Sequence, residues 1–517
     1  MPKWLEDAVF YEIYPQSFKD TNGDGIGDIE GIIESLDYIR DLGCNALWIN
    51  PWYDSPFKDA GYDVRDYYKV APRYGTNMDA YRLFEVAHEK GIKVLLDLVP
   101  GHTSEEHVWF QESKKPEENT FSNRYIWSDG AFHGIPNHLY ISGESDRDGV
   151  YMLNFFKCQP ALNYGWGEVK YSWQSACDSP EAMATREAMK DVMRFWLDHG
   201  CDGFRVDMAD SLVKDDDYDK SHTQAIWRNV REMLDQEYPE AAMVSEWSNP
   251  YQAIPGGFHM DFYLDHHGNG YNTLFRDYET EGGDHSYFKC DAGGDIRRFL
   301  EDYLPKYHAT KNQGYISMFS CNHDTPRPKN SLSDEELKVA YAFLYTMPGV
   351  PFLYYGDEIG MRYQTLTSKE GGYQRTGSRT PMQWSDGENA GFSTCNPDRL
   401  YLPVDDGVDA PSVESQKKEE DSLYHVVKSV LALRHREKSL QANGSFEVVH
   451  ALKAEPFVYR RGEIVCIVNP DSASAFLPEY VAAMCGESLF TVGRAEKNGS
   501  ELAIGGQSFA AFRIVKA

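Results

Sequence analysis

Three acidic side chains stand at or just beyond the ends of apolar, strand-like runs: Asp207 closes GFRVD (203–207), Glu246 closes the run 241–246, and Asp324 follows the run 315–321. Arg205 lies two residues before Asp207, a spacing that puts both on one face of a strand. His102 comes just after the run 93–99, near whose end Asp97 sits, and His323 directly precedes Asp324. One Asp at a strand end is ordinary, because helix N-caps place it there. Three carboxylates, two histidines and an arginine on one rim make a reactive site. The reaction most in need of paired carboxyls is glycoside cleavage: one carboxylate attacks the anomeric carbon, and the other, kept protonated, gives its proton to the leaving oxygen. The chain has no glycine-rich phosphate loop, HExxH or GxSxG to suggest a rival chemistry.

Such a rim needs strands that end together. β-Branched and aromatic runs recur at 8–14, 46–51, 93–99, 201–207, 241–246, 259–264, 315–321 and 350–355, with helical periodicity at 29–42, 77–90, 181–199, 223–237 and 334–347. This alternation marks parallel βα units, and eight strands close an α/β (β/α)8 TIM barrel whose active site lies at the C-terminal strand ends. Between Pro100 and Glu181 the rhythm fails, which predicts a small domain inserted after the third strand. The polar stretch 365–420 predicts a long loop before a helix at 421–436. Short alternating runs after it, such as FEVVH and EIVCIVN, predict a C-terminal antiparallel β domain. The expected division is a barrel from 1–102 and 175–440, an insertion from 103–174 and a β domain from 441–517.

The 517 residues carry 51 Lys and Arg against 81 Asp and Glu, a net −30 that disfavours nucleic acid or an anionic membrane as partner. The 34 Tyr and 11 Trp can pack a core or offer flat faces to sugar rings. Nine cysteines without CxxC spacing argue against a disulfide framework and against zinc. The start, MPKWLEDAVFYEIYP, lacks a secretory pattern, and no run approaches the roughly 18 apolar residues of a membrane span. The expectation is a cytoplasmic enzyme with a small neutral oligosaccharide as substrate and no membrane or nucleic-acid partner; oligomeric state is not legible.

The segments DLVPGH (97–102), GFRVD (203–207), SEW (245–247) and CNHD (321–324) resemble, in order and spacing, the four signature regions of the α-amylase family of glycoside hydrolases. FYEIYPQSFKDTNGDGIGD (10–28), AGYD (60–63), GVPFLYYGDEIG (349–360), QPALN (159–163) and RTPMQW (379–384) extend the likeness over the whole chain. The last two are most similar to the branch holding oligo-1,6-glucosidase, α-glucosidase and trehalose synthase. The resemblance implies that Asp207 is the nucleophile, Glu246 the general acid and base, and Asp324 a third carboxylate gripping sugar hydroxyls. It implies that Arg205 keeps the nucleophile ionised, that His102 and His323 bond hydroxyls of the same sugar, and that Tyr62 stacks beneath its ring. Asp59 matches the position that closes the pocket in exo-acting members together with an arginine from a late loop. Arg379 is taken as that arginine, with Arg375 the competitor. The implied activity is hydrolysis of α-glucosidic bonds through a covalent intermediate; transglycosylation, isomerisation of the trehalose synthase kind and endo-acting amylase action are the alternatives.

Asp20, Asn22, Asp24, Ile26 and Asp28 have the spacing of a calcium loop, with Gly25 at the turn and Gly31 where a twelfth-position Glu would stand. Oxygens so close together would repel or stay unsatisfied without a cation, and the resembled branch binds calcium there, so a structural Ca2+ is expected. Four positions depart from the pattern. Gly101 replaces an asparagine, Ala161 an aspartate, Met208 follows the nucleophile, and Trp247 follows the acid, as an aromatic wall or as packing under the rim.

Overall fold

The computed structural model describes residues 1–277 and 283–515. Eight strands, β1 (Phe10–Ile13), β2 (Ala46–Ile49), β3 (Lys93–Leu98), β4 (Gly203–Val206), β5 (Ala242–Ser245), β6 (Met260–Phe262), β7 (Tyr315–Ser317) and β8 (Phe352–Tyr354), form one parallel sheet in the order β7-β6-β5-β4-β3-β2-β1-β8. Past the end of β7, Ser320 N–H donates to the Phe352 carbonyl at 3.0 Å and Phe352 N–H donates to the Met318 carbonyl at 2.9 Å, which closes the barrel. Almost every strand residue is buried, as parallel strands covered on both faces require. Aromatic rings fill the interior below the rim: Phe352 lies 4.3 Å from Phe10 and 4.8 Å from Phe262, and Trp48 lies 5.3 Å from Phe262.

All eight predicted strands are present, most trimmed at their ends. The helices around them are α1 (Ile29–Glu34), α2 (Leu36–Leu42), α3 (Asn77–Glu89), α4 (Pro180–Asp198), α5 (Ser221–Glu237), α6 (Ile296–Thr310), α7 (Asp334–Thr346) and α8 (Leu423–Arg436). The helix expected at 29–42 is broken at Ser35, whose hydroxyl donates to the Gly31 carbonyl at 2.7 Å. Helix α6 was not anticipated. Pro305 and many charges disguise it, yet Ile296, Phe299, Leu300, Tyr303 and Tyr307 form one buried stripe at helical spacing.

Between β3 and α4 the chain holds a six-residue helix, Val108–Ser113, and a ladder of Tyr140–Ile141 with Tyr151–Met152. Ile126, Met152, Ala161 and Trp166 form a small core of its own. The bridge from His102 to Ala161, and the Leu162 N–H donating to the Gly101 carbonyl at 3.1 Å, lay this insertion back on the barrel rim. Residues 365–420 make short 3-10 turns and a helix, Val413–Lys418, instead of one open loop. After α8, strands β9 (Glu447–His450), β10 (Phe457–Arg461), β11 (Ile464–Asn469), β12 (Cys485–Val492) and β13 (Ser508–Ile514) form an antiparallel sheet in the order β9-β10-β11-β13-β12. No described helix is long and apolar enough to cross a membrane.

Candidate active site

Asp97 and Arg205 are direct neighbours in the register of β3 and β4, and Asp207 and Glu246 follow β4 and β5 by one residue. Arg205 is buried, and its guanidinium reaches three carboxylates: Nη1 donates to Asp97 Oδ1 and to Asp207 Oδ1, each at 2.9 Å, and Nη2 lies 3.0 Å from Glu246 Oε2. Among the described residues no donor is bonded to Asp207 Oδ2, which leaves that oxygen for a ligand. Burial pushes Asp207 and Glu246 up to about 7 and Asp97 up to about 6, with Arg205 opposing the rise in each. The charges of Asp207 and Asp324 add to the rise at Glu246. The Met208 N–H donates to Glu246 Oε2 at 2.9 Å from a left-handed backbone, φ +42°.

Asp324 is the carboxylate that stays ionised. Burial would raise it, but the guanidiniums of Arg379, 2.9 Å away, and Arg375, 3.0 Å away, hold it well below the usual carboxylate range. Asp59 is also brought to this wall. Its Oδ2 accepts from Gln159 Nε2 at 2.7 Å, and its Oδ1 lies 3.5 Å from Arg375 Nη2. Arg375, not Arg379, is therefore the arginine beside Asp59. Arg379 is buried, and it donates to the His323 carbonyl at 2.9 Å and the Tyr14 hydroxyl at 3.1 Å, which turns it away from Asp59.

Tyr62 and His323 lie nearly parallel, 5.4 Å between ring centres, and the Tyr62 hydroxyl donates to Asp97 Oδ2 at 3.0 Å while lying 2.7 Å from His323 Nε2. His323 Nδ1 lies 2.8 Å from Glu12 Oε1. His102 has both ring nitrogens engaged by the protein: Nε2 at 3.1 Å from the Tyr62 carbonyl and Nδ1 at 3.0 Å from Asn154 Nδ2. Trp247 is packing under the rim, since it is buried, meets Phe258 edge-on at 6.3 Å and donates to Gln252 at 3.2 Å. Sequence reasoning did not single out Glu12, Gln159 or Asn154. Glu12 and Gln159 lie inside quoted motifs, the only signal available, and nothing in the sequence marks Asn154.

The loop from Asp20 to Asp28 offers only oxygens, which suits a hard cation. Its oxygens are not left unsatisfied, however. Asp20 Oδ1 accepts from the N–H of Asn22 and Gly23 at 3.1 and 2.8 Å, and Oδ2 from Gly25 N–H at 2.7 Å. Asn22 Oδ1 accepts from Asp24 N–H at 3.0 Å, Asp24 Oδ1 from Ile26 N–H at 2.9 Å, and Asp28 Oδ1 caps α1 through Gly31 N–H at 2.7 Å. Backbone donors thus pair these oxygens without a cation, contrary to the expectation that they would repel or stay unsatisfied. Asp216, Asp217 and His222 are the only described group of three His, Cys, Asp or Glu whose ligand atoms lie within 4.8 Å of one another. That group caps α5: Asp217 Oδ1 accepts from Ser221 N–H at 2.8 Å and Asp216 Oδ2 from Thr223 N–H at 2.9 Å.

A family model for the alpha amylase catalytic domain matches residues 12–443. The trehalose synthase/amylase TreS of Mycobacterium tuberculosis strain H37Rv is 33% identical over 519 residues, covering 90% of this chain and 82% of that protein. The oligo-1,6-glucosidase of Parageobacillus thermoglucosidasius is 30% identical over 561 residues, covering 94% of each. The trehalulose synthase MutB of Pseudomonas mesoacidophila MX-45 superposes with a TM-score of 0.83 at 25% identity over 100% of both chains. Carboxylates at three strand ends, an arginine between two of them and these likenesses lead to one assignment: the chain belongs to the α-amylase family of glycoside hydrolases.

Proposed function

We propose that this enzyme is a retaining α-glycosidase that releases glucose from the non-reducing ends of short α-glucosides. The observation that carries it is one guanidinium, Arg205, lying between Asp207 at 2.9 Å and Glu246 at 3.0 Å. Asp207 attacks the anomeric carbon while Glu246 gives its proton to the leaving oxygen, and a β-linked glycosyl ester forms on Asp207. Burial and the charges of Asp207 and Asp324 keep a proton on Glu246 near neutral pH. Esterification removes the Asp207 charge, so Glu246 becomes more acidic and, once deprotonated, takes a proton from the incoming water. Water then replaces the ester and restores Asp207. Asp324, ionised throughout, grips sugar hydroxyls, with Tyr62, His102 and His323 around the ring.

The contact of Asp59 with Arg375 supports a closed pocket and exo action over an open endo-acting cleft. The relatives named as trehalose and trehalulose synthases support a second reading, in which a sugar takes the place of water as acceptor. Product analysis on maltose, isomaltose, trehalose, sucrose and maltotriose separates the two. Proton NMR should find α-glucose as the first anomer released; β-glucose would overturn the retaining mechanism.

The loop would hold Ca2+ through side-chain oxygens of Asp20, Asn22, Asp24 and Asp28 and the Ile26 carbonyl, a reading supported by the all-oxygen donor set and by the left-handed turn at Gly25, φ +95°. We further propose a cytoplasmic location, supported by the nine cysteines, all free thiols.

A further inference from the structure

Gly101 stands directly before His102, and a Cβ at Gly101 would lie 2.8 Å from the side-chain nitrogen of Asn154. A side chain at Gly101 would make that amide shift. Asn154 comes from the inserted segment and is half-buried at the rim. Its Oδ1 accepts from Lys214 Nζ at 2.9 Å, while its Nδ2 lies 3.0 Å from His102 Nδ1 and 3.8 Å from Met208 Sδ.

These partners determine which way the amide and the imidazole face. An ammonium only donates, so the amide oxygen must point at Lys214 and the NH2 at His102. His102 Nδ1 then accepts, and its proton sits on Nε2, which donates to the Tyr62 carbonyl at 3.1 Å. Burial lowers His102 to about 4, so the ring is neutral and holds this tautomer. Lys214 is buried too, and its other bond runs to the Ser211 carbonyl at 2.7 Å; no described carboxylate lies within ion-pair distance. A buried cation must be solvated by fixed dipoles, which makes the Asn154 carbonyl a required partner. On the far side, the side chain of Met208 touches the same amide while its strained backbone offers N–H to Glu246.

Resting on the reading of Asp207 and Glu246 given above, we infer that Asn154 is a positioning residue. Anchored by Lys214, it sets the His102 tautomer on the sugar side and the Met208 side chain on the proton-donating side, and so ties the inserted segment to both halves of the reaction. It touches no reacting atom.

Three variants test this: Asn154→Ala, Asn154→Asp and Gly101→Ala. The methyl group of G101A drives into the Asn154 nitrogen, so G101A should reproduce N154A, and the double variant should be no worse than either. Each should lower kcat/KM on p-nitrophenyl α-glucoside by about 10-fold or more, because small misplacements of positioning groups have effects of this order; the melting temperature should hold in N154D, whose carboxylate still accepts from Lys214, and fall in N154A, which takes an acceptor from that buried ammonium. A second readout does not depend on the reaction. In histidine-labelled enzyme, with H102Q used for assignment, 15N NMR should show His102 Nδ1 bare and Nε2 protonated near neutral pH. N154D puts an acceptor opposite Nδ1 and should draw a proton onto it. An unchanged His102 signature in N154D, or G101A and N154A with kcat/KM within about twofold of the wild type, would overturn the inference. Asp207→Asn and Glu246→Gln, assayed on maltose, whose leaving sugar needs a proton, serve as controls. If they stay active, the reading of the site fails; if they are inactive while N154A and G101A are normal, only the role of Asn154 fails.

Discussion

Arg205 and Asp207, two residues apart along the β4 strand end, face each other across 2.9 Å, and the same guanidinium nitrogen lies 2.9 Å from Asp97 on the adjacent strand. With Glu246 at 3.0 Å from the other guanidinium nitrogen, three carboxylates share one cation. Burial raises Asp97 to about 6 and Asp207 and Glu246 to about 7, with the shared guanidinium opposing the rise and the neighbouring carboxylates adding to it. The reactive arrangement is the one with the proton on Glu246.

That arrangement sets the pH dependence. The acid limb of kcat/KM reports ionisation of the pair up to the state with Asp207 bare, and the alkaline limb reports loss of the Glu246 proton, so the profile should be a bell with limbs on either side of about pH 7. Both values belong to the pair and not to either residue alone. The charge of Asp324 raises both groups, so Asp324→Asn should be slow and should move both limbs to lower pH. Limbs that stay put or move upward would contradict this account.

Asp207→Asn and Glu246→Gln should each reduce turnover of maltose or isomaltose by about 1,000-fold or more. They should differ when the leaving group changes. A nitrophenolate needs no proton to depart, so E246Q should recover most of its loss in the first, glucose-transferring step on an aryl α-glucoside, while D207N should recover none. Burst-phase kinetics of phenolate release measure that step directly. Equal recovery in the two variants would refute the assignment of roles.

The two late-loop arginines should separate cleanly. Arg375 is partly exposed and touches Asp59 and Asp324, so Arg375→Ala should lower kcat/KM for disaccharides by about 10-fold or more and cost at most about 1 kcal/mol of stability. Arg379 is buried against Asp324, the His323 carbonyl and Tyr14, so Arg379→Met should cost about 3–5 kcal/mol by leaving buried acceptors unpaired. Urea denaturation alongside steady-state kinetics checks both; similar stability losses in the two variants would count against this division.

Calcium should act on stability and not on chemistry. Saturating Ca2+ at about 100 times its dissociation constant should add about 2.7 kcal/mol to unfolding, and chelation should remove it without altering kcat. Asp24→Ala should abolish the calcium-dependent rise in melting temperature. An unchanged melting temperature across a calcium titration of the wild type would refute the site.

How much was legible before folding follows from the range of each signal. Asp207 and Arg205 are two residues apart on one strand, and alternation alone puts them on one face. The rim was legible because strand ends in a barrel converge by topology, whatever the loops do. Helix α6 was missed because Pro305 and surface charge hide a stripe that only burial reveals. The spacing of the acidic loop from Asp20 to Asp28 was legible, but the hydrogen bonds that satisfy its oxygens were not, since backbone donors leave no mark in a motif.

By itself, the sequence determined the barrel, the inserted segment, the three carboxylates and the guanidinium among them, because periodicity and strand order are local properties that survive any loop path. Only the tertiary structure decided that Arg375 and not Arg379 reaches Asp59, that Gln159 holds Asp59 in place, that Trp247 packs against Phe258, and that Asn154 fills the space left by Gly101. The contacts of Asp59 join irregular segments far apart in the chain, 100 residues in the case of Gln159 and 316 in the case of Arg375. Which side chains meet there depends on loop conformation, and no residue spacing encodes it.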